Sequence, residues 1–123
     1  MMACRGVRGA TTVLDNTRDD ILAATEELLR RILGANSVTA DDIAGIFFTV
    51  TDDLDAEYPA LAARRMGLTQ TAMLCAREIP VQGERAEKCI RVMLFINTDL
   101  PPARIRHVYL RGAAVLRPEW AEG

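Results

Sequence analysis

The sequence predicts an α+β fold: a mixed five-stranded β-sheet with helices packed on one face. Runs rich in β-branched and aromatic residues alternate with two segments of helical spacing, and the resulting order is β-α-β-α-β-β-β. No internal repeat or low-complexity segment interrupts this order. Because domains commonly contain roughly 100–150 residues, the chain of 123 residues predicts one domain over residues 1–123, with a short C-terminal tail at 119–123.

The first strand is predicted over residues 3–13. Its glycines permit a bulge or a close backbone approach, and the odd spacing of Arg5 and Arg8 places their side chains on opposite faces. The first helix is predicted over residues 17–34, where an acidic variant of a capping box begins it and Gly34, with Asn36 close behind, ends it. The core face of this helix is predicted from an apolar stripe at helical spacing: Ile21, Leu22, Thr25, Leu28, Leu29, Ile32 and Leu33.

The remaining elements follow from the same patterns. In chain order they are a helical turn after Thr39, a strand at 45–51, a helix at 60–66 that ends at Gly67, strands at 70–76 and 88–98, a helical turn through Ile105 and a last strand at 107–116. Pro118 ends the last strand because proline cannot donate to a ladder of backbone hydrogen bonds.

The strand at 88–98 is the most apolar run of the chain, and Arg91 lies near its start. A guanidinium does not lose its proton in a protein, so an arginine in such a strand needs an anionic partner. That partner is either a carboxylate of the chain or an anionic ligand. The strand by itself favours the structural ion pair over a functional role.

Composition excludes several functional classes. The formal net charge of −2 lacks the basic excess that nucleic acid or an anionic membrane would attract. No apolar run approaches the roughly 20 residues that span a bilayer, and the N-terminus has no apolar signal region. The three cysteines form no CxxC pair, which argues against disulfides and zinc and favours the cytoplasm.

The common catalytic motifs are absent as well. The chain has one histidine, His107, and one serine, Ser37, and no further signal links them into a triad. No cluster has metal-ligand spacing, and neither a dinucleotide fingerprint nor a Walker sequence occurs. Cys75 could act as a nucleophile, but no base is visible beside it, and a buried inert thiol is the commoner case.

What remains is a set of polar side chains in or beside the apolar strands: Arg8, Cys75, Glu78, Arg91, Tyr109 and Arg117. Several fixed cations with one carboxylate and one phenol suit a small polycarboxylate, because guanidinium–carboxylate pairing is strong and selective. A chain of this length has little room for such a pocket beside its own core. A site shared between subunits is therefore a reasonable hypothesis.

Four segments, at residues 5–13, 88–93, 105–110 and 115–118, resemble the monofunctional chorismate mutases of the trimeric αβ-barrel class (the AroH type). The resemblance runs from about Arg5 to Pro118. It implies a homotrimeric pseudo αβ-barrel that converts chorismate to prephenate for phenylalanine and tyrosine synthesis. It implies no metal and no cofactor, because this Claisen rearrangement transfers no proton and uses no nucleophile.

The resemblance also implies residue roles, in a pocket between neighbouring subunits. Arg91 matches the cation at the ether oxygen of the breaking bond, and Glu78 with Cys75 matches the pair at the ring hydroxyl. Arg8 and Tyr109 match the groups that hold the carboxylate of the enolpyruvyl side chain. The wall, mouth and far side of the pocket correspond to Tyr58, Ala60, Leu61, Arg64, Met73, Leu74, Leu116 and Arg117. Leu61, Tyr58 and Leu74 depart from the residues common at these positions.

Two other functional classes fit part of the sequence. A non-catalytic trimeric domain that senses an anionic metabolite would use Arg8 and Arg91 equally well. A deaminase of reactive enamines and imines is another small trimeric barrel enzyme with an interfacial arginine pocket. The matching segments favour the mutase over both, and turnover of chorismate distinguishes the three.

Overall fold

A computed structural model describes residues 2–83 and 86–121 of the chain. Its strands and α-helices are β1 (Ala3–Thr12), α1 (Arg18–Ala35), β2 (Ile43–Val50), α2 (Ala60–Arg65), β3 (Met73–Arg77), β4 (Cys89–Thr98) and β5 (Val108–Tyr109). Short 3₁₀ turns lie at Ala40–Asp42, Pro102–Arg104, Arg111–Val115 and Pro118–Trp120. The predicted α+β class and element order are confirmed. Neither helix has the length and hydropathy of a membrane span within the described residues.

The five strands form one mixed sheet in the order β3-β2-β4-β1-β5. The strand β4 lies at its centre and pairs antiparallel with both β1 and β2, while β3 and β5 pair in parallel with β2 and β1 at the edges. β4 has a neighbouring strand on each edge, and it is the most apolar run because half of its ten residues are buried.

The two faces of the sheet differ. Alternate residues of β4, from Ile90 to Ile96, are buried in a core built with α1 and α2, and we call this the helical face. The other face carries Arg91, Met93 and Phe95 from β4, and we call it the open face because neither helix covers it. The register places Arg5 on the helical face and Arg8 on the open face, as their odd spacing predicts.

Gly9 provides the close backbone approach that the sequence suggests. A Cβ atom at Gly9 would lie 2.6 Å from Cδ1 of Ile32 and 3.1 Å from the carbonyl oxygen of Val108, so α1 and β5 could not pack as closely on any other residue. β1 pairs regularly with β4, and the irregular register lies instead in β2, between Ile43 and Gly45.

Helix α1 begins as predicted, because the Thr17 hydroxyl accepts a hydrogen bond from the Asp20 amide at 3.1 Å. Its predicted end at Gly34 is wrong by one residue. Gly34 is helical, and the helix continues to Ala35. Asn36, the second residue of the predicted stop, ends it: its side-chain amide donates to the carbonyl groups of Ile32 and Arg106. Ser37 then turns the backbone at φ 53°. The predicted apolar stripe is buried, except that Leu33 is only partly covered.

Most other boundaries shift by one to three residues. The predicted helix at 60–66 ends at Arg65, with Gly67 following at φ 98° as the sequence suggests. The strand predicted at 70–76 begins only at Met73 and extends to Arg77, while β2 begins two residues before its predicted start.

The last predicted strand, at 107–116, is wrong over most of its length. Only Val108 and Tyr109 pair with β1, and the amide of Leu110 makes a final hydrogen bond to Ala10. Arg111 then adopts a left-handed backbone at φ 52°, which ends the strand and begins a 3₁₀ turn over Arg111–Val115. Ala113 belongs to a small core and Leu116 packs against it, whereas Val115 is exposed.

That small core covers one end of the open face. It contains Ala10, Ala86, Cys89, Tyr109 and Ala113, with Leu116 and Trp120 packed against it. The predicted tail after Pro118 is therefore partly structured: Pro118–Trp120 form a turn, and Ala121 makes a parallel bridge with Tyr109. Met1 and the last two residues of the predicted domain and tail, Glu122 and Gly123, lie outside the described residues.

Candidate active site

One row of paired residues crosses all five strands of the sheet: Tyr109, Ala10, Arg91, Thr49 and Ala76. Of the two alanines in this row, Ala10 is buried in the small core and Ala76 is exposed. Arg8 lies two residues along β1 from Ala10 and is a diagonal neighbour of Arg91 across the β1–β4 pair. The sheet register therefore brings four polar residues from four strands to one patch.

Arg91 forms an ion pair with Glu78, which follows β3 directly. The distance between Arg91 Nε and Glu78 Oε1 is 3.4 Å, and both side chains are about four-fifths buried, with exposed fractions of 20% and 23%. The same carboxylate oxygen accepts a hydrogen bond from the Thr49 hydroxyl at 2.6 Å. The anionic partner that the sequence required for Arg91 is thus a carboxylate of the chain, located in the predicted site.

Tyr109 is fully buried, and its hydroxyl has no hydrogen-bond partner among the described residues. Burial raises the pKa of Tyr109, against the opposing effect of Arg8, Arg91 and Arg117. The phenol therefore keeps its proton at neutral pH and can donate a hydrogen bond. The guanidinium carbon of Arg8 lies 5.9 Å from the centre of the Tyr109 ring, so this donor sits beside a fixed cation.

Arg117 and Leu116 lie in the chain that returns over the open face. Leu116 packs against the small core that contains Tyr109. The Arg117 guanidinium lies over the Trp120 ring at 3.7 Å and donates to Glu119 Oε2 at 3.1 Å. Arg117 is close enough to influence the titration of Tyr109, as Arg8 and Arg91 do. Three arginines thus surround the patch, and two of them are paired with carboxylates: Arg91 with Glu78 and Arg117 with Glu119.

Cys75, Met73, Ala60 and Arg64 form a second group, located at the β3 edge of the sheet. Cys75 pairs with Phe48 and Met73 with Ile46, and both side chains pack against the helical-face core. Burial raises the pKa of the Cys75 thiol, opposed by a hydrogen bond from the Ala60 backbone and by Arg64. The thiol is protonated at neutral pH, which supports the inert interpretation over the nucleophilic one.

Two predicted pocket residues are exposed in the single chain. The exposed fractions of Tyr58 and Leu74 are 68% and 67%. Leu74 pairs with Phe47 and so belongs to the open face, whereas its neighbour Cys75 belongs to the helical face. One chain therefore does not bring Cys75 and Glu78 together, because Glu78 contacts Thr49 and Arg91 on the opposite side of the sheet.

Two residues of this patch were missed as site residues in the sequence. Thr49 orients Glu78, and His107 accepts a hydrogen bond from the Arg8 amide at its Nδ1 atom, at 2.9 Å. The only signals for them were weak: a hydroxyl on a strand, and a histidine two residues before Tyr109. Among the described residues, no group of three His, Cys, Asp or Glu side chains is arranged to hold a metal ion.

Comparison with known proteins identifies the family. Residues 4–120 match the family described as chorismate mutase type I. The chain belongs to this chorismate mutase family. It is 47% identical over 116 residues to chorismate mutase AroH of Thermus thermophilus, with 94% of each chain covered. It is 42% identical over 119 residues to chorismate mutase AroH of Bacillus subtilis (strain 168), covering 96% of this chain and 93% of that one.

A solved structure agrees with the sequence comparisons. The chorismate mutase from Clostridium thermocellum superposes with a TM-score of 0.88 at 55% identity, covering 90% of this chain and 98% of the other. The resemblance drawn from the sequence is confirmed, and so is the expected function: this chorismate mutase is an isomerase that converts chorismate to prephenate. The comparisons favour neither the binding domain nor the deaminase.

Proposed function

We propose that chorismate rearranges to prephenate on the open face, with Arg91 and Glu78 at the reacting centre. The observation that supports this most directly is the row that places Arg91, Tyr109 and Thr49 beside Arg8 and Glu78. A Claisen rearrangement needs a compact substrate conformer and a positive charge where negative charge develops. Neither requirement calls for a nucleophile, which fits a protonated Cys75.

Arg91 supplies the charge at the ether oxygen of the breaking bond. Its guanidinium is held in the row by the neighbouring strands and by the Glu78 carboxylate, so the donor is oriented before substrate binds. Arginine suits this task better than lysine because its fork is rigid and always charged. Glu78, with one oxygen engaged by Thr49, accepts a hydrogen bond from the ring hydroxyl of chorismate.

Arg8 and Tyr109 bind the carboxylate of the enolpyruvyl side chain. A buried phenol without a partner costs free energy, and a carboxylate ligand would satisfy it. Arg8 adds a charge-assisted contact from the same side. Leu116 and Arg117 close the far side of the pocket, and Arg117 completes the set of cations that compensates a substrate with two carboxylates.

We further propose that the site is completed by a neighbouring subunit of a homotrimer. The open face exposes 44% of Phe95 and 39% of Phe47, which is unusual for two aromatic side chains near the centre of a sheet. The second group of predicted residues, Cys75 with Ala60, Met73 and Arg64, faces away from Arg91 in its own chain. A neighbouring copy could present that group, with Tyr58 and Leu74, to the patch around Arg91.

The first test is turnover. Purified protein is incubated with chorismate, the loss of chorismate absorbance is followed, and prephenate is confirmed by its acid conversion to phenylpyruvate. The Arg91→Ala variant, purified in the same way, is the matched control, because it removes the proposed donor and leaves the helical face untouched. Rapid loss with the natural sequence and near-background loss with the variant are expected. Equal rates for the two proteins would contradict the assignment of Arg91.

The second test addresses the shared site by complementation. Arg91→Ala removes the open-face half of a site, and Arg64→Glu places a negative charge in the other half. Both variants alone should be nearly inactive. Because a site between two subunits takes one half from each, random 1:1 mixed trimers should restore about a quarter of the sites. If mixing restores nothing although the variants co-assemble, all site residues come from one chain.

We also propose that the chain acts as one domain in the cytoplasm. One sheet contains strands from Ala3 to Tyr109, and the small core joins the C-terminal turns to it. All three cysteines are thiols, which suits a reducing compartment.

A further inference from the structure

His107 stands where the first strand meets the C-terminal residues. It directly precedes β5, and its Nδ1 atom accepts a hydrogen bond from the backbone amide of Arg8 at 2.9 Å. A ring nitrogen that accepts a hydrogen bond carries no proton, so the imidazole is neutral with its proton on Nε2. This contact joins positions 99 residues apart in the chain.

The other side of the imidazole carries the C-terminal segment, which we define as Arg117 to Ala121. The Trp120 ring packs on His107 with 4.0 Å between ring centres, and the Arg117 guanidinium lies 3.7 Å from the Trp120 ring centre. Trp120 also lies 5.7 Å from the Tyr109 ring, and Ala121 pairs with the Tyr109 backbone. The segment is thus anchored through rings to the strand that carries Tyr109.

We infer that His107 is a positioning residue that couples Arg8 to the C-terminal segment, and that only its neutral form makes this coupling. The inference rests on the proposed function, in which Arg8, Tyr109 and Arg117 surround a carboxylate of the substrate. His107 itself need not touch the substrate. By holding the backbone of Arg8 and the ring of Trp120, it fixes the guanidinium of Arg8 relative to that of Arg117.

The charges around His107 oppose its protonation. Arg8 faces it from β1 and Arg117 from the C-terminal segment, Arg106 precedes it in the chain, and the nearest carboxylate of that segment, Glu119, is paired with Arg117. Burial lowers the pKa of His107, and Arg8 and Arg117 lower it further. A proton on Nδ1 would remove the acceptor for the Arg8 amide and place a third cation between the two arginines. Acidification should therefore separate the segment from Arg8.

Three variants separate the contributions of the ring, the acceptor and the stack. His107→Asn keeps an oxygen acceptor near the position of Nδ1, but its side chain has no ring and no titratable group. His107→Phe keeps a ring against Trp120 but leaves the Arg8 amide without its acceptor. Trp120→Leu removes the stacked ring and leaves His107 and its hydrogen bond. Thermal unfolding of each variant establishes that it is folded before any other measurement.

The first measurement needs no substrate. The chain contains one histidine and one tryptophan, so the signals of both side chains can be assigned without ambiguity. The NMR signal of the His107 ring, the amide shift of Arg8 and the fluorescence of Trp120 are each followed against pH in the natural protein. All three should change with one common midpoint below 6.5, the ordinary value for His107. In His107→Asn and His107→Phe, the corresponding change at Arg8 and Trp120 should disappear.

The second measurement is the pH profile of chorismate turnover. Below the same midpoint KM should rise while kcat changes less, because Arg8 is proposed to bind and not to react. His107→Phe should raise KM by about tenfold to a hundredfold at neutral pH, the range expected when a charge-assisted contact is misplaced. His107→Asn should recover most of that loss and flatten the acid limb of the profile, which a residue that merely fills space would not do.

The outcomes distinguish the inference from the function on which it rests. If Arg8 and Trp120 do not follow the titration of His107, or if His107→Phe retains the natural KM and pH profile, the positioning role is wrong. If the three signals titrate together but chorismate is not converted, the coupling stands and the proposed chemistry of the site is wrong.

Discussion

Oε1 of Glu78 lies 3.4 Å from Nε of Arg91 and 2.6 Å from the hydroxyl oxygen of Thr49. One carboxylate oxygen thus contacts a fixed cation and a neutral donor, which sets the orientation of the carboxylate. The second oxygen takes no part in these two contacts and can accept a hydrogen bond from a ligand. The ion pair is therefore both a structural contact and a part of the proposed site, although the sequence presented these as alternatives.

Arg91→Lys should keep the fold and lose most of kcat. Lysine retains the charge but not the planar fork, and one preorganised donor is typically worth about 10²–10³ in rate. Steady-state kinetics should show the loss mainly in kcat with a smaller change in KM. Arg30→Lys, in an exposed pair with Glu26 on α1, is the matched control and should behave as the natural protein. Near-normal kcat for Arg91→Lys would contradict the role of Arg91.

Arg8→Ala should act mainly on binding. Loss of a charge-assisted contact with a carboxylate costs about 1.5–3 kcal/mol, which corresponds to a rise in KM of roughly tenfold to a hundredfold. Arg5→Ala is the control on the same strand, because Arg5 lies on the opposite face and donates to the Leu100 carbonyl. Arg5→Ala should leave KM unchanged. An unchanged KM for Arg8→Ala would exclude its contact with the substrate carboxylate.

Thr49→Val should lower kcat by about tenfold, because Glu78 loses the hydrogen bond that orients it. Valine has nearly the same shape as threonine, so the strand and the sheet register should persist. Thr98→Val removes a hydroxyl at the far end of β4, where it accepts from the Leu100 amide, and should leave kcat unaffected. If Thr49→Val has the natural kcat, Glu78 is oriented by Arg91 alone.

Phe95→Asp should disrupt the proposed homotrimer. A carboxylate at the centre of the open face would be buried without a partner in an interface between copies, at a cost of several kcal/mol. Analytical ultracentrifugation should show smaller species and the mutase assay a loss of activity. Leu14→Asp, at an apolar side chain that is 85% exposed, is the control and should remain assembled. An assembled and active Phe95→Asp protein would place the interface on another surface.

Stability should depend on pH through His107. The pKa of His107 in the folded protein is below the ordinary 6.5. Above pH 6.5 the imidazole is therefore neutral in both the folded and the unfolded protein, and its contribution to the free energy of unfolding is complete. As the pH falls below 6.5, the unfolded chain binds the proton first and the free energy of unfolding declines. The decline stops below the pKa of the folded protein. Urea unfolding of the natural protein and of His107→Asn should differ in this window, and parallel curves would contradict the prediction.

The sequence by itself determined the element order, the core face of α1 and the need of Arg91 for an anion. These are local properties: periodicity, capping residues and the charge of one side chain in an apolar run can be read without knowing what lies across the sheet. The secondary structure of the last segment, residues 107–116, could not be predicted from local properties. The apolar run at 107–116 looks like a strand, but the left-handed turn at Arg111 and the contact of the Gly112 amide with Thr12 end it after Tyr109.

Only the tertiary structure decided which partner meets which residue. Glu78 reaches Arg91 because β3 and β4 flank β2, and Thr49 joins them because the register puts it opposite Arg91. His107 meets Arg8, 99 residues away in the chain, because the short strand β5 pairs in parallel with β1. Such contacts depend on strand order and register. A local sequence pattern is by itself compatible with more than one strand order and register. The sequence therefore determined which side chains this chorismate mutase has available, and the sheet decided which of them share a face.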